Sequence, residues 1–407
     1  LNPAAPPAEL GRELEMVEAS IVLAAGPAVG MLGAAGATVT VIVLDDLPDA
    51  GAGRVERGDD DVAVLLFTSG TAGAPKAAML THGNLAANIR QVLDHPGLRL
   101  DSSDIALGVL PFFHVFGLNA VLGLALAAGA SVALESHFGA RESAELVREH
   151  RVTVVAGVPA MYEAWLGLGE TVAPSDTFAS VRLAVSGAAP LPGEVAIAFE
   201  ERFGVVLHQG YGLTEASPIV TTTALSGHRP KPGSIGPPLP GVDVRLVDAE
   251  DGDALVGDPG EIWAHGPNVF AGYWKDSEAT ARVLTPDHWL RTGDIAVIED
   301  DGDLRLVDRA KDLIIVSGFN VYPVEVEDVL HDHPDVADVA VVGEPSPRTG
   351  EAVVAYVVPV VDATPDPNAL LQHCAHALAR YKCPTRIEIV DAIPRSPSGK
   401  VLRRELR

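Results

Sequence analysis

Thr68-Ser69-Gly70-Thr71-Ala72-Gly73-Ala74-Pro75-Lys76 stands between two apolar runs, 62–67 and 77–80. The runs read as strands and the stretch between them as the loop that joins them. Gly70 and Gly73 permit backbone angles that turn successive N–H groups to one concave side, while Thr68, Ser69 and Thr71 add hydroxyl donors. Lys76 contributes a mobile positive charge. Such a loop suits a polyphosphate, and it also suits a solvent-exposed turn; taken alone it does not decide between them. It is not a Walker A loop: Pro75 precedes the lysine, no Ser or Thr follows it, and the next element is a strand instead of a helix.

On either side of this loop the chain alternates. Leu10, Leu14 and Val17 lie at helical spacing behind Pro7, so 7–20 predicts a helix. Runs 21–24 and 38–44 read as strands, and 45–61 as a polar surface link. Thr81 can cap a helix that shows Leu85, Ile89 and Val92 on one face. Strands at 105–110, 131–134, 152–155, 181–185 and 205–207 then alternate with helices around 142–150, after Pro159 and at 193–203. Alternation of this kind predicts a layered α/β domain with parallel sheets. The run 115–128 falls short of the ~20 residues a membrane span needs and carries Asn119, so it predicts a buried core helix.

From 233 to 308 the pattern changes to short β runs at 243–247, 261–264, 295–298 and 304–307, separated by Gly, Pro and Asp turns, which predict a small β-barrel-like subdomain. Beyond it, strands at 314–315, 337–342, 352–358 and 386–390 and helices at 323–330 and 368–381 predict a small α+β domain. The expected division is 1–310 and 311–407. With 407 residues, more than one core is expected in any case.

Composition narrows the function. A hydrophobic fraction of 47% with 21% charged residues is globular, and a net charge of −26 argues against nucleic acid and anionic lipid as partners. Cys374 and Cys383, with no secretory or membrane-spanning segment before them, read as reduced thiols of a cytoplasmic protein. His331 and His333 share no helix face ahead of Pro334 and read as a helix terminus, not a metal cluster.

Four further segments carry polar chemistry. Ser186-Gly187-Ala188-Ala189-Pro190 ends a strand where open α/β sheets place ligands; its small residues admit a flat base, or simply a tight turn. His208 to Glu215 sets Thr214 beside Glu215 at a Gly-rich turn, and one carboxylate suffices for Mg²⁺ that also takes phosphates and water. His114, among Phe112, Phe113 and Phe116, reads either as a core histidine or as a pocket wall. Pro394 to Lys400 is a Gly/Pro/Ser loop presenting one lysine, which from composition alone is a flexible basic tail.

Read together and in order, the 68–76 loop, Tyr211-Gly212-Leu213-Thr214-Glu215, Thr292-Gly293-Asp294, Asp308-Arg309-Ala310-Lys311-Asp312 and Ser398-Gly399-Lys400 resemble the signatures of the adenylate-forming enzymes. That superfamily comprises acyl-CoA synthetases, aryl-CoA ligases, luciferases and peptide-synthetase adenylation domains. The resemblance runs the length of the chain and implies ATP, Mg²⁺ and coenzyme A. It puts the phosphates on Thr68, Ser69, Gly70, Thr71, Gly73 and Lys76, and the adenine between Gly187 to Pro190 (with Ala188 and Ala189) and Tyr211-Gly212. The ribose falls to Asp294, with Arg309 also on the nucleotide, and the metal to Glu215 beside Thr214. His114, Gly210 and Ala216 then border the acyl group. Lys400 bridges the carboxylate and the α-phosphate, and the mobile small domain turns about Lys311 to bring Ser317, Gly318 and Phe319 to the pantetheine arm.

The implied activity is an acyl-CoA synthetase that makes an acyl-AMP and passes the acyl group to CoA. Ala216-Ser217-Pro218-Ile219-Val220 carries no charge, which favours a hydrophobic monocarboxylic, fatty or aryl, acid over a dicarboxylic one. The lysine motif stands close to Arg407 with no carrier module after it, which favours CoA over a carrier protein as acceptor. A freestanding carrier-loading domain, a luciferase-like oxygenase and a non-catalytic nucleotide binder remain alternatives, and a homo-oligomer stays open. Departures are Ala72 and Ala77 at places often held by a hydroxyl residue and Gly, and Asn320 where some members have Arg. Leu1-Asn2-Pro3 resembles a segment the family reaches only after a sizeable N-terminal portion, so a chain lacking that portion is expected.

Overall fold

The computed structural model describes all residues except 3–4, 35–38, 45–46, 48–52, 54, 69–75, 96, 249, 310–311, 313, 317–318, 347–348, 379, 396–399 and 407. The chain opens with helix α1 (Pro7–Met16), strand β1 (Ile21–Ala24), helix α2 (Gly26–Ala34) and strand β2 (Thr40–Val43). β1 and β2 pair in parallel as a small separate sheet. Strands β3 (Val62–Thr68) and β4 (Lys76–Thr81) follow as an antiparallel pair whose last rung sets Thr68 opposite Lys76. The loop read first from the sequence is thus closed at its base, and its residues 69–75 lie outside the described residues.

Helix α3 (His82–Leu93) starts where the sequence places it, because Thr81 and Asn84 form a reciprocal cap: Asn84 N–H donates to Thr81 Oγ1 at 3.1 Å and Thr81 N–H donates to Asn84 Oδ1 at 3.0 Å. After β5 (Ile105–Gly108), the predicted core helix is in fact a wider π-helical segment, Phe116–Gly123, running into α4 (Leu124–Ala128). Buried Asn119 accounts for tolerance of a polar residue there: its amide donates to the Ser217 carbonyl at 2.7 Å and the Leu85 carbonyl at 3.2 Å.

β6 (Ser131–Leu134), α5 (Ala140–His150), β7 (Val154–Gly157), α6 (Pro159–Leu166), β8 (Leu183–Ser186), α7 (Gly193–Phe203), β9 (Leu207–Gly212) and β10 (Ile219–Thr222) complete the main sheet. Its order is β10-β9-β8-β7-β5-β6, parallel from β9 to β6 with β10 antiparallel at the edge. β9 is longer than the run 205–207 predicted, so His208 to Gly212 are strand and not turn; the turn begins at Leu213. Tyr162, Trp165, Phe178, Phe199 and Phe203 pack edge-on into one buried cluster, with the Trp165 indole N–H donating to Ser143 Oγ at 3.0 Å.

The expected β subdomain is a five-stranded antiparallel sheet of β11 (Ser234–Gly236), β12 (Asp243–Val247), β13 (Gly260–His265), β14 (Leu290–Ile298) and β15 (Leu304–Arg309), with helix α8 (Ser277–Val283) between β13 and β14. Its order, β11-β15-β14-β13-β12, is an open path and not a ring. The remainder consists of β16 (Ile314–Val316), β17 (Phe319–Val321), α9 (Pro323–His331), β18 (Val336–Ser346), β19 (Gly350–Pro359), α10 (Pro367–Ala377) and β20 (Arg386–Ile389). Its apolar residues form their own buried clusters, separate from the core that runs from Leu66 to Leu304. Among the described residues no helix is long and apolar enough to cross a membrane.

Candidate active site

A cavity of about 1230 Å³ opens at the carboxyl ends of β8 and β9 and the base of the β3–β4 hairpin. Thr68, Lys76, His114, Gly187, Ala188, Gly210, Tyr211, Gly212, Thr214, Glu215, Asp294 and Lys400 all line it. Ala189 and Pro190 do not, and Ala216 is turned into the core, its carbonyl accepting from the Asn268 amide at 2.9 Å. Ser69, Gly70, Thr71, Gly73, Lys311, Ser317 and Gly318 lie outside the described residues, as do the side chains of Arg309 and Phe319.

Each polar side chain has a local reason for its position. Gly212 has no room for a Cβ, because the Pro218 carbonyl occupies that place, so the chain can turn there into the Thr214–Ala216 3₁₀ turn that holds Glu215. Glu215 Oε1 accepts from the Tyr273 hydroxyl at 2.7 Å, and the Tyr273 ring lies under Lys76, whose Nζ is 4.9 Å from the centroid. Burial, and then the Glu215 charge, push the Tyr273 pKa far up, so the hydroxyl keeps its proton and stays a donor. Tyr273 therefore links Lys76, the expected phosphate lysine, to the candidate metal carboxylate. Nothing in the local sequence around Tyr273 signals this, because the bond joins residues 58 apart in the chain.

Asp294 is aimed by its motif. Thr292 Oγ1 donates to the Ile262 carbonyl at 2.7 Å and accepts from Asp294 N–H at 3.1 Å. Gly293 sits at φ 72°, with its N–H donating to Glu261 Oε1 at 2.9 Å. Asp294 Oδ2 accepts from the Tyr211 hydroxyl at 2.7 Å, which ties the expected ribose and adenine residues to one another. His114 accepts the Phe116 N–H at Nδ1, 3.3 Å, which puts the proton of the neutral ring on Nε2. Its pKa is lowered, first by burial and then by the positive charge of Lys400.

Lys400 lines the cavity beside two braced segments, whose Arg395 and Val401 form an antiparallel bridge. Arg395 pairs through Nη2 with both Asp338 oxygens at 2.8 and 2.9 Å, and Leu402 N–H donates to the Pro394 carbonyl at 2.8 Å. Arg403 donates to Glu327 at 2.6 Å and to the Val341 carbonyl at 3.0 Å. All these partners belong to the small C-terminal unit, so the lysine is carried by that unit and delivered to a cavity built mostly by the large one. Of the stretch read from composition as a flexible tail, residues 396–399 lie outside the described residues, while Arg395 and Arg403 on either side are held by charges 57 and 76 residues away. Glu215, one carboxylate in a cavity with room for phosphates, fits the oxygen chemistry that Mg²⁺ requires.

A ligand cavity at the carboxyl edge of an open α/β sheet, closed by a lysine from a second folded unit, defines a two-part α/β nucleotide-site protein. The chain belongs to the AMP-binding enzyme family: residues 1–274 match that family and residues 325–400 match the AMP-binding enzyme C-terminal domain. It is 42% identical over 353 residues to a long-chain-fatty-acid–CoA ligase of Yersinia pestis, covering 85% of this chain and 61% of that protein. With a 4-coumarate–CoA ligase of Pinus taeda the identity is 36%, covering 100% of this chain and 79% of the relative. The chain thus spans about three fifths to four fifths of these relatives' lengths. Among solved structures, ATP-bound MatB from Rhodopseudomonas palustris superposes with a TM-score of 0.92 at 34% identity, covering 100% of this chain and 82% of that one. The apo form of the same protein, at the same identity, gives 0.77.

Proposed function

We propose that the protein is an AMP-forming acid–thiol ligase, an acyl-CoA synthetase for a hydrophobic monocarboxylic acid, in the first instance a fatty acid. The observation that carries this reading is convergence: Lys76, Glu215, Asp294 and Lys400, from four separate segments, line one cavity that also has an apolar side formed by residues such as Val121, Leu124, Val154 and Leu183. In the first half-reaction a carboxylate oxygen attacks the α-phosphorus of ATP and pyrophosphate leaves. Both reactants are anions, so the barrier is lowered by neutralising charge and aligning the attack more than by bond-making groups. Lys76 and the 68–76 loop take the β- and γ-phosphates, Asp294 the ribose, and Lys400 the carboxylate and α-phosphate together. Mg²⁺ held by Glu215 would supply further neutralisation of the phosphate oxygens. In the second half-reaction the thiol of CoA gives up its proton to solvent, its sulfur attacks the acyl carbon, and AMP leaves with its oxygen taking back the bonding pair.

The better match to an ATP-bound relative than to its apo form supports assigning the present arrangement to the first half-reaction. On this reading residues 1–310 form the ATP- and acyl-binding domain and 311–407 the mobile one, a division supported by their separate buried cores. The working compartment is the cytoplasm, where ATP and CoA are at hand. The test is an ATP- and CoA-dependent screen of fatty, aryl and dicarboxylic acids that follows AMP and thioester together. Thioester with fatty or aryl acids is the expected result. Rapid turnover of malonate alone refutes the substrate class, AMP without free thioester but with a loaded carrier shifts the acceptor, and neither product with any acid refutes the activity.

A further inference from the structure

Resting on that reading, the apolar part of the cavity deepens it. In parallel strands alternate residues share a face, and the strand register aligns Ala106, Val154 and Leu183 in one row across β5, β7 and β8. Two residues nearer the site, Ala156 and Val185 form a second row. All five line the cavity. Burial differs between the two faces of the sheet: Val154 and Leu183 keep 9% and 8% exposure, Ala106 3%, and Ala156 and Val185 are half-buried, whereas Val155 and Ala184 on the other face are at 1% and Leu107 at 0%, although Leu107 and Val155 also border the cavity. The sheet face itself is therefore the floor of an open lane.

The lane has a mouth and two tiers. At the mouth, just past the end of β8, lies Gly187, where a Cβ would meet the Phe116 ring at 3.2 Å. The Ala156 and Val185 row comes next, and the Ala106, Val154 and Leu183 row lies ~7 Å deeper, two residues down the strands. Val121 and Leu124 of the π-helical segment and α4 also line the cavity. In each tier a single alanine, the smallest side chain of its row, stands beside Val or Leu.

We propose that Ala156 and Ala106 are the positions that set acyl chain length: the tail runs from the Lys400 end down the sheet face, passing Ala156 first and ending beside Ala106. A leucine at Ala156 blocks the lane at the first tier and a leucine at Ala106 at the second. Apolar pockets discriminate by ~10- to 200-fold per misfitting group, so the effects should be large and graded.

The experiment measures kcat/KM for butanoate, octanoate and dodecanoate by acid-dependent pyrophosphate exchange in wild type, Ala156→Leu and Ala106→Leu. For Ala106→Leu the dodecanoate-to-butanoate ratio should fall ~100-fold while the octanoate-to-butanoate ratio falls far less. For Ala156→Leu both ratios should fall ~100-fold. Ala156→Val and Ala106→Val repeat the test should the leucine variants lose all exchange. Unchanged ratios, or equal loss at every length in both pairs of variants, overturn the ruler. If the wild type turns over none of the three acids but does turn over others, the fatty-acid reading has failed and the ruler fails with it.

Discussion

Tyr273 is the residue on which the electrostatics of the site turn, since one side chain both donates to Glu215 and underlies Lys76. A hydrogen bond to a charged group is worth ~1.5–3 kcal/mol, so Tyr273→Phe, which keeps the ring under the lysine and removes only the hydroxyl, should slow adenylation ~10- to 100-fold. Tyr273→Leu removes both contacts and should cost more. The measurement is pyrophosphate exchange titrated with Mg²⁺; a phenylalanine variant with wild-type rate and Mg²⁺ dependence would remove Tyr273 from the machinery. Tyr211 and Asp294 show the same economy, each orienting the other through one bond.

Among the elements, the main sheet is fastened at the end opposite the cavity. Asp104, just before β5, accepts from Arg182 at 2.6 and 2.8 Å, from Thr153 Oγ1 at 2.7 Å and from the Asp101 N–H at 2.9 Å, so one carboxylate gathers the starts of β5, β7 and β8. The Arg182 hydrogen bonds hold the Asp104 pKa at about 2, below the ordinary 3.8. Because the folded-state value is depressed, the stabilisation is fully present above pH ~4 and is lost as pH falls through ~2. Asp104→Asn should therefore destabilise by ~2 kcal/mol at pH 7, with the gap to wild type closing as pH drops from 5 towards 2. Urea midpoints across that range check it, and a gap that stays constant refutes the assignment. The opening of the lane between the sheet and the π-helical segment depends on such anchoring, because rows of side chains stay aligned only while the register holds.

For the whole molecule, the seam between the two units is charged. His331 Nδ1 lies 3.9 Å from Glu194, the Arg395 charge acts on Glu163, and that of Arg305 on Asp328. A polar seam can part without exposing an apolar core, which suits the proposed mechanism, in which this unit withdraws Lys400 before the thiol attacks. Lys400→Ala should abolish acid-dependent pyrophosphate exchange yet still convert supplied acyl-AMP and CoA to thioester. Lys311→Pro, by fixing φ near about −65° at the proposed pivot, should do the reverse. Equal impairment of both variants in both assays would point to one fixed arrangement.

What the sequence by itself determined is local or ordered along the chain. Thr81 with Asn84 fixed the start of α3, Gly193 and Phe203 bounded α7 where the apolar spacing ends, and the β/α alternation implied a parallel sheet, because these depend on neighbours a few residues apart. The order of motifs from Thr68 to Lys400 was equally legible, and it pointed to the cavity that Lys76, Glu215, Asp294 and Lys400 share. Where side chains meet across the fold was not. Tyr273 beneath Lys76, Arg395 and Arg403 bracing the segments beside Lys400, and the two alanine rows of the lane join residues tens of positions apart, and only the paired strands and packed units bring them together. The strand extent of β9 and the inward turn of Ala216 were likewise decided by packing, since the same Gly-rich sequence suits a strand or a turn until β10 pairs with it.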